Sequence, residues 1–222
     1  MSETLTIRPA NEVSWEELEA VFGTRGEPAM CHCQRYKMAF RESWASVGRE
    51  ELAARFRVQT ECGNPASGST TGLVAFLDGE PVGWCAVEPR TAYPRLLRDT
   101  RVPWVDRHED KTDDSVWAVT CFVTRRGFRK RGVSRALVGA AVDYARSQGA
   151  RALEGYPMLV EEARGILPGE LHVGTRGIFA DAGFREVSHP TLRRVAMRID
   201  FEPEPPTATT TNSSTTRSTH HG

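Results

Sequence analysis

Cys121-Phe122-Val123-Thr124-Arg125-Arg126-Gly127-Phe128-Arg129-Lys130-Arg131-Gly132-Val133-Ser134 is the stretch on which the fold turns. It begins as the end of an apolar strand, runs through a loop carrying five cations (Arg125, Arg126, Arg129, Lys130, Arg131), and reaches Gly132. After Gly132, apolar residues fall at Val133, Ala136, Leu137, Ala140, Ala141, Tyr144 and Ala145, the i, i+3, i+4, i+7 spacing of one helix face. A helix start offers backbone N–H groups without internal partners and a positive dipole end, a place that suits phosphate. Cations clustered at such a start oppose the dipole, so the loop reads as a cradle for an anionic ligand rather than a solvated helix entry.

Outward from this stretch the chain alternates strands and helices. Upstream, Val116–Val123 is a continuous apolar run, as expected of a central strand covered on both faces. Before it, Leu73–Leu77, the turn Asp78-Gly79 and Pro81–Val87 read as a hairpin. Leu5–Arg8 alternates as a short first strand, and Ser14-Trp15-Glu16-Glu17 is a capping box opening a helix that stops at Gly23. A second helix is expected over Arg49–Gln59, with Arg25–Trp44 irregular before it and 89–114 a long connection after the hairpin. Downstream, Ala150–Tyr156 is a strand expected to pair in parallel with 116–123 through the crossover helix. Residues 157–175 read as irregular, with a short helix near Glu161–Ala163. A helix over Arg176–Ala182 ends at Gly183-Phe184, and the last two strands pair antiparallel.

Composition narrows the function. The 222 residues carry 29 Lys plus Arg and 29 Asp plus Glu, a formal net charge of zero, which argues against general nucleic-acid or membrane-surface binding. No apolar run approaches membrane-spanning length, and the N-terminus lacks a leader pattern. Five cysteines, an odd number in a chain long enough to fold without disulfides, point to a reducing cytoplasm. Cys31-His32-Cys33 lacks the second spaced pair of a zinc site, so no metal is expected. From Pro203 the composition changes; seven Thr and three Ser fall within Thr207–Thr219. The expected organisation is one domain over 1–202 and a disordered tail over 203–222.

Arg129-Lys130-Arg131-Gly132-Val133-Ser134, the apolar strand before it and Phe179-Ala180-Asp181-Ala182-Gly183-Phe184 together resemble the GNAT superfamily of acyl-CoA-dependent N-acetyltransferases. The resemblance implies an α/β fold: a single domain with a mixed, mostly antiparallel sheet, a central parallel pair of splayed strands, and flanking helices. It implies acetyl-CoA as donor, with the backbone of Arg129, Lys130, Arg131, Gly132, Val133 and Ser134 on the pyrophosphate and Arg135 or a neighbouring cation on the ribose phosphate. Cys121, Phe122 and Val123 would pair with the pantetheine amides. The acceptor would be a primary amine, expected on a small molecule, with a homodimer allowed, no membrane and no nucleic acid. A non-catalytic acyl-CoA-binding module, or an acceptor amine on a protein or aminoacyl-tRNA, stays open as the alternative. Three departures stand out: Ser134 for a glycine or alanine, Lys130 for a glycine, and Phe179 for the tyrosine that in many members protonates the leaving thiolate.

Candidates for the proton chemistry follow from the residues. Glu154 and Tyr156 lie two apart on one strand and share a face, which makes Tyr156 a candidate acid and Glu154 a candidate base through water. His172, in the loop before the last helix, has a pKa naturally suited to proton transfer. Cys121, among apolar neighbours, reads as a core thiol. Arg90, Tyr93, Arg95 and Arg98 in the long connection are candidates for an acceptor carboxylate.

Overall fold

The computed structural model describes residues 3–160 and 167–201. In chain order its elements are β1 (Leu5–Pro9), α1 (Trp15–Phe22), α2 (Gly26–Cys31), α3 (Trp44–Val47), α4 (Arg49–Thr60), β2 (Gly72–Leu77), β3 (Glu80–Pro89), α5 (Pro94–Arg98), β4 (Val116–Thr124), α6 (Val133–Ser147), β5 (Ala152–Gly155), α7 (Arg176–Asp181), β6 (Arg185–Thr191) and β7 (Arg194–Asp200). The seven strands form one sheet in the order β1-β2-β3-β4-β5-β7-β6. Every neighbouring pair is antiparallel except β4 and β5, which run parallel.

Period-two alternation decides what each face of the sheet packs against. Leu73, Ala75 and Leu77 of β2 and Cys85 and Val87 of β3 meet the apolar face of α6, where Leu137, Ala141 and Ala145 are fully buried. Val74, Phe76, Trp84 and Ala86 point the other way, onto Leu18, Val21 and Phe22 of α1 and Phe56 of α4. Each of the larger apolar side chains among them contributes on the order of 1.5–3 kcal/mol when removed from water. At Gly83 the sheet and α6 approach so closely that a Cβ would collide with Val133 and press on Leu137. The α1 capping box is present: Ser14 Oγ accepts the Glu17 N–H at 3.2 Å, and the Ser14 N–H donates to Glu17 Oε2 at 2.7 Å.

The central strand carries one irregularity with consequences. Ala86 opposes Cys121 while Val87 opposes Val119, so Thr120 has no partner residue on β3. This bulge shifts the alternation of β4: Trp117, Val119 and Phe122 face α6, whereas Cys121 and Val123 face α1.

The long strands and helices agree with the sequence expectation, and two stretches do not. Residues 25–44, read as irregular, contain α2, a 3₁₀ turn at Gln34–Tyr36 and the start of α3. The connection 89–114 contains a 3₁₀ turn at Arg90–Ala92 and α5. These pieces are too short to show periodicity, and their positions come from long-range contacts; Arg95 Nη2, for example, donates to the Glu42 carbonyl at 2.8 Å. The helix expected near Glu161–Ala163 and the tail beyond residue 201 lie outside the described residues. Among the described residues no helix is long and apolar enough to cross a membrane.

Candidate active site

The loop between β4 and α6 carries a run of backbone amides into a helix start. A 3₁₀ turn at Arg126–Phe128 leads to Arg129 in extended conformation, then Lys130 at φ 64° and Gly132 at φ 77°, both left-handed. A backbone of alternating φ sign leading into a helix start is a setting in which successive N–H groups can converge on an anion. Gly132 caps α6 without a side chain, and no carboxylate stands in the first turn, so the amides at the helix start are left for a ligand. A Cβ on Gly132 would meet nothing within 4 Å, so the approach to this row is open. Thr124 Oγ1 and Ser134 Oγ, 3.3 Å apart, tie the strand end to the first helical turn.

The cations around the row divide into two groups. Arg125 donates to Glu80 at 2.9 Å and to the Pro81 carbonyl at 2.7 Å. Arg131 pairs with Glu3, and Arg135 with Asp181. Among the described residues Arg126, Arg129 and Lys130 make no ion pair. The donor set fits a pyrophosphate with additional phosphate charge: backbone amides, a helix start and three unmatched cations.

Beside this row the sheet opens. The β4–β5 pairing covers four positions, Val116 with Ala152 through Val119 with Gly155. Beyond it β4 continues to Thr124 paired to β3, while the 3₁₀ turn Pro168–Val173 packs against β4 from the other side. Cys121, Phe122 and Val123 are therefore placed where the two strands part. Phe179 is fully buried there, edge-on to Phe122 at 6.0 Å and to Phe184 at 5.1 Å, over a Gly155 that leaves no room for a Cβ.

Glu154 and Tyr156 do share a face, but as members of a buried ion network. Glu154 accepts from Arg198 Nη1 at 2.8 Å, from Arg90 Nη1 at 3.3 Å and from both Nη atoms of Arg107, while Tyr156 Oη donates to it at 2.8 Å. Burial alone would raise the Glu154 carboxyl; the Arg107 hydrogen bond and charge, with that of Arg90, outweigh it and hold the group below its ordinary value. Burial, then the Glu154 charge, pushes the Tyr156 phenol well above its ordinary value. A carboxylate this strongly held is a weak base and a phenol this reluctant is a weak acid. The acid and base roles offered by the sequence are thus poorly served by this pair.

The carboxylate recognition expected of the long connection meets the same obstacle. Arg90 is fully buried, on Glu154 and on the Asp110 carbonyl at 2.7 Å. Tyr93 is buried, Arg98 pairs with Asp99 at 2.7 Å, and Arg95 is divided between Asp99 and the Glu42 carbonyl.

His172 sits on the 3₁₀ turn that packs against β4. Its Nδ1 lies 2.7 Å from the Gly169 carbonyl, which requires the proton to be on Nδ1 and leaves a lone pair on Nε2. That Nε2 is buried and has no hydrogen-bond partner among the described residues. Burial lowers the His172 pKa, the Gly169 contact offsets part of this, and the charges of Arg35 and Arg194 lower it further.

Three residues that the sequence did not single out stand near this histidine, Glu27, Arg35 and Arg194, and with them Tyr36, which the sequence places with Trp44 and Cys31-His32-Cys33 in a loop lining the acceptor pocket. Glu27 lies against Gly169, and Arg194 donates to the Tyr156 carbonyl. They come from opposite ends of the chain, and no local spacing announces their meeting.

Cys31-His32-Cys33 is a structural feature of the α1 face. His32 and Cys33 both take left-handed conformation, at φ 41° and 54°. His32 stacks on Phe22 at 5.5 Å, and Cys33 Sγ accepts from Trp84 Nε1 at 3.0 Å. Burial pushes the Cys33 thiol up and the His32 imidazole down, to about 4. Among the described residues no group of three or more His, Cys, Asp or Glu is placed to hold a metal ion.

With this geometry in hand, comparison with known proteins places the chain. The model of the acetyltransferase (GNAT) family matches residues 33–156, more than half of the chain, and the chain belongs to that family. Among solved structures it is similar to an acetyltransferase at 19% identity, covering 89% of this chain and 100% of that one with a TM-score of 0.53. It is also similar to an N-acetyltransferase from Staphylococcus aureus Mu50, at 13% identity over 89% of this chain and 98% of that one, TM-score 0.50. A GCN5-related N-acetyltransferase from Kribbella flavida aligns at 18% identity over 89% and 98% of the two chains, TM-score 0.48. No curated protein matches.

Proposed function

We propose that this acyltransferase moves an acetyl group from acetyl-CoA to a primary amine of a small molecule, by direct attack within a ternary complex. The observation that carries the reading is the row of amides from Arg129 to Ser134, uncapped at Gly132 and flanked by Arg126, Arg129 and Lys130, which make no ion pair among the described residues. In this reading those amides hold the pyrophosphate, and the three unpaired cations, rather than the engaged Arg125 and Arg135, serve the remaining phosphate. The backbone of Cys121–Val123 orients the pantetheine arm where β4 leaves β5. Acyl-CoA supplies the thioester, whose C–S bond breaks as the acceptor's N–C bond forms.

The proton balance falls to His172. Its Nε2 lone pair takes the proton that the amine releases, and the imidazolium so formed returns it to the departing thiolate. One residue thereby serves as base and acid, and Phe179 is not asked to donate a proton. Glu154 and Tyr156 act as positioning residues that hold the end of β5. Five free thiols suit a reducing cytoplasm.

Acetyl-CoA titrated into the protein should raise its melting temperature, with a stabilisation of about 2.7 kcal/mol at a hundredfold excess over Kd. Arg129→Glu should abolish that shift. No shift in the unsubstituted protein would overturn the donor assignment, and full retention in the variant would move the cradle elsewhere.

A further inference from the structure

Where β5 ends, three distant parts of the chain converge. The Met158 N–H donates to the Gly174 carbonyl at 3.0 Å, and on the other side the Leu159 N–H donates to the Arg193 carbonyl at 2.9 Å. The segment 157–159 therefore lies between the turn carrying His172 and the start of β7. Arg194, at that start, sets its guanidinium on the Tyr156 carbonyl through Nε at 2.9 Å and Nη2 at 2.5 Å. Arg193 pairs with Glu170 at 2.8 Å and fastens the β6–β7 hairpin to the His172 turn. From the opposite side come the residues around α2. Glu27 lies so close to Gly169 that a Cβ there would strike its carboxylate, and Tyr36 packs into the cluster of Tyr93 and Tyr156.

The charges here do not balance. Arg193 is neutralised by Glu170. Arg194 makes no ion pair among the described residues; two of its five N–H donors go to the Tyr156 carbonyl, and the Tyr36 hydroxyl stands beside it. Arg35, exposed, rests over the Trp44 ring at 5.6 Å with no carboxylate partner among the described residues. Arg35 adjoins Tyr36 of the Tyr156 cluster and Arg194 holds the Tyr156 carbonyl, so both cations border the His172 turn, where Glu27 lies against Gly169 and makes no ion pair among the described residues. Two cations and one anion beside a neutral imidazole repel a polyamine. They complement a molecule whose amine sits a few bonds from its own carboxylate: the carboxylate meets the guanidinium forks, and the ammonium meets Glu27 until it loses one proton to solvent, leaving His172 to take the second proton on attack.

We infer that the acceptor is a carboxylate-bearing primary amine, an amino-acid-like molecule, recognised by Arg35 and Arg194 beside His172. This rests on the acyl-transfer reading above but concerns residues on the other side of the strand opening.

The test is calorimetric, on the full chain with and without CoA, using free L-amino acids, their carboxamides and spermidine. The expected result is that at least one free amino acid binds about tenfold or more tightly than its carboxamide and than spermidine. Arg35→Met, at an exposed position, should remove most of that ratio. Arg194→Lys keeps the charge but loses the fork, and should remove part of it. Equal binding of acid and carboxamide, preference for spermidine, absence of binding by every free amino acid, or an unchanged ratio in Arg35→Met would each overturn the inference. Failure of the acyl-transfer reading shows separately, as no melting shift with acetyl-CoA and no thiol released with any amine, while carboxylate preference is read from binding alone.

Discussion

His172 owes its chemistry to its immediate neighbours. The Gly169 carbonyl fixes the tautomer, and burial, with Arg35 and Arg194, disfavours the imidazolium; Glu27 works in the opposite sense. A base is active in its deprotonated form, so a lowered pKa keeps His172 competent below the ordinary histidine value of about 6.5. The acid limb of kcat/KM assigned to this residue should therefore fall below that pH, and it should disappear in His172→Gln as kcat drops by about 10²–10⁴-fold with acetyl-CoA affinity unchanged. In Arg35→Met one opposing charge is gone, the imidazolium is less disfavoured, and the limb should move to higher pH. A His172→Gln variant with unaltered kcat would remove this residue from the proton path. A lone histidine in a 3₁₀ turn gives little away in sequence. Its tautomer and burial depend on Gly169 and on a turn packed against a strand some fifty residues earlier.

At the scale of elements, the entry to α6 combines strain with function. Lys130 holds φ 64° where a residue with a Cβ pays about 1–2 kcal/mol, while Gly132 takes the same region freely. Lys130→Gly should relieve that strain; after the extra freedom of glycine in the unfolded chain is subtracted, roughly 0.5–1 kcal/mol of stabilisation remains, read by chemical denaturation. The same variant loses one unpaired cation and should bind acetyl-CoA more weakly. A destabilised Lys130→Gly would mean that the lysine side chain holds the turn by contacts of its own. This element was legible because every part of it is contiguous: an apolar run, a basic loop, a glycine and a helical period. The short helices α2, α3 and α5 were not, since each has fewer than two turns and is held by partners such as the Glu42 carbonyl and the buried ring of Tyr93.

Across the whole molecule, the network around Glu154 joins the long connection 90–114 to β5 and β7. Arg90 and Arg107 come from the connection and Arg198 from β7, and all three meet one carboxylate that is fully buried. Deleting it by Glu154→Ala strands buried guanidinium groups and should cost about 3–5 kcal/mol, measured as the loss in unfolding free energy. At a temperature where the variant is folded, its acyl transfer should persist, in contrast to His172→Gln; complete loss of turnover in folded protein would return Glu154 to the catalytic machinery. The sequence offered Glu154 and Tyr156 as a neighbouring pair, and that adjacency is real. What it withheld was the three arginines, 44 to 64 residues away, that turn a reactive-looking pair into a girder.

The same convergence has a further meaning for how such a chain can change. The span proposed to hold the donor runs without interruption to Ser134, inside the part matched by the family model. The residues assigned to the acceptor are drawn from Glu27–Tyr36, from Gly169–His172 and from the Arg193–Arg194 corner, far apart in sequence and brought together by contacts such as Glu27 against Gly169 and Arg193 with Glu170. Exchanging those three surface pieces would graft a new appetite onto an unaltered acyl-handling frame, so chains with one inherited donor grammar are free to diverge in the amines they accept.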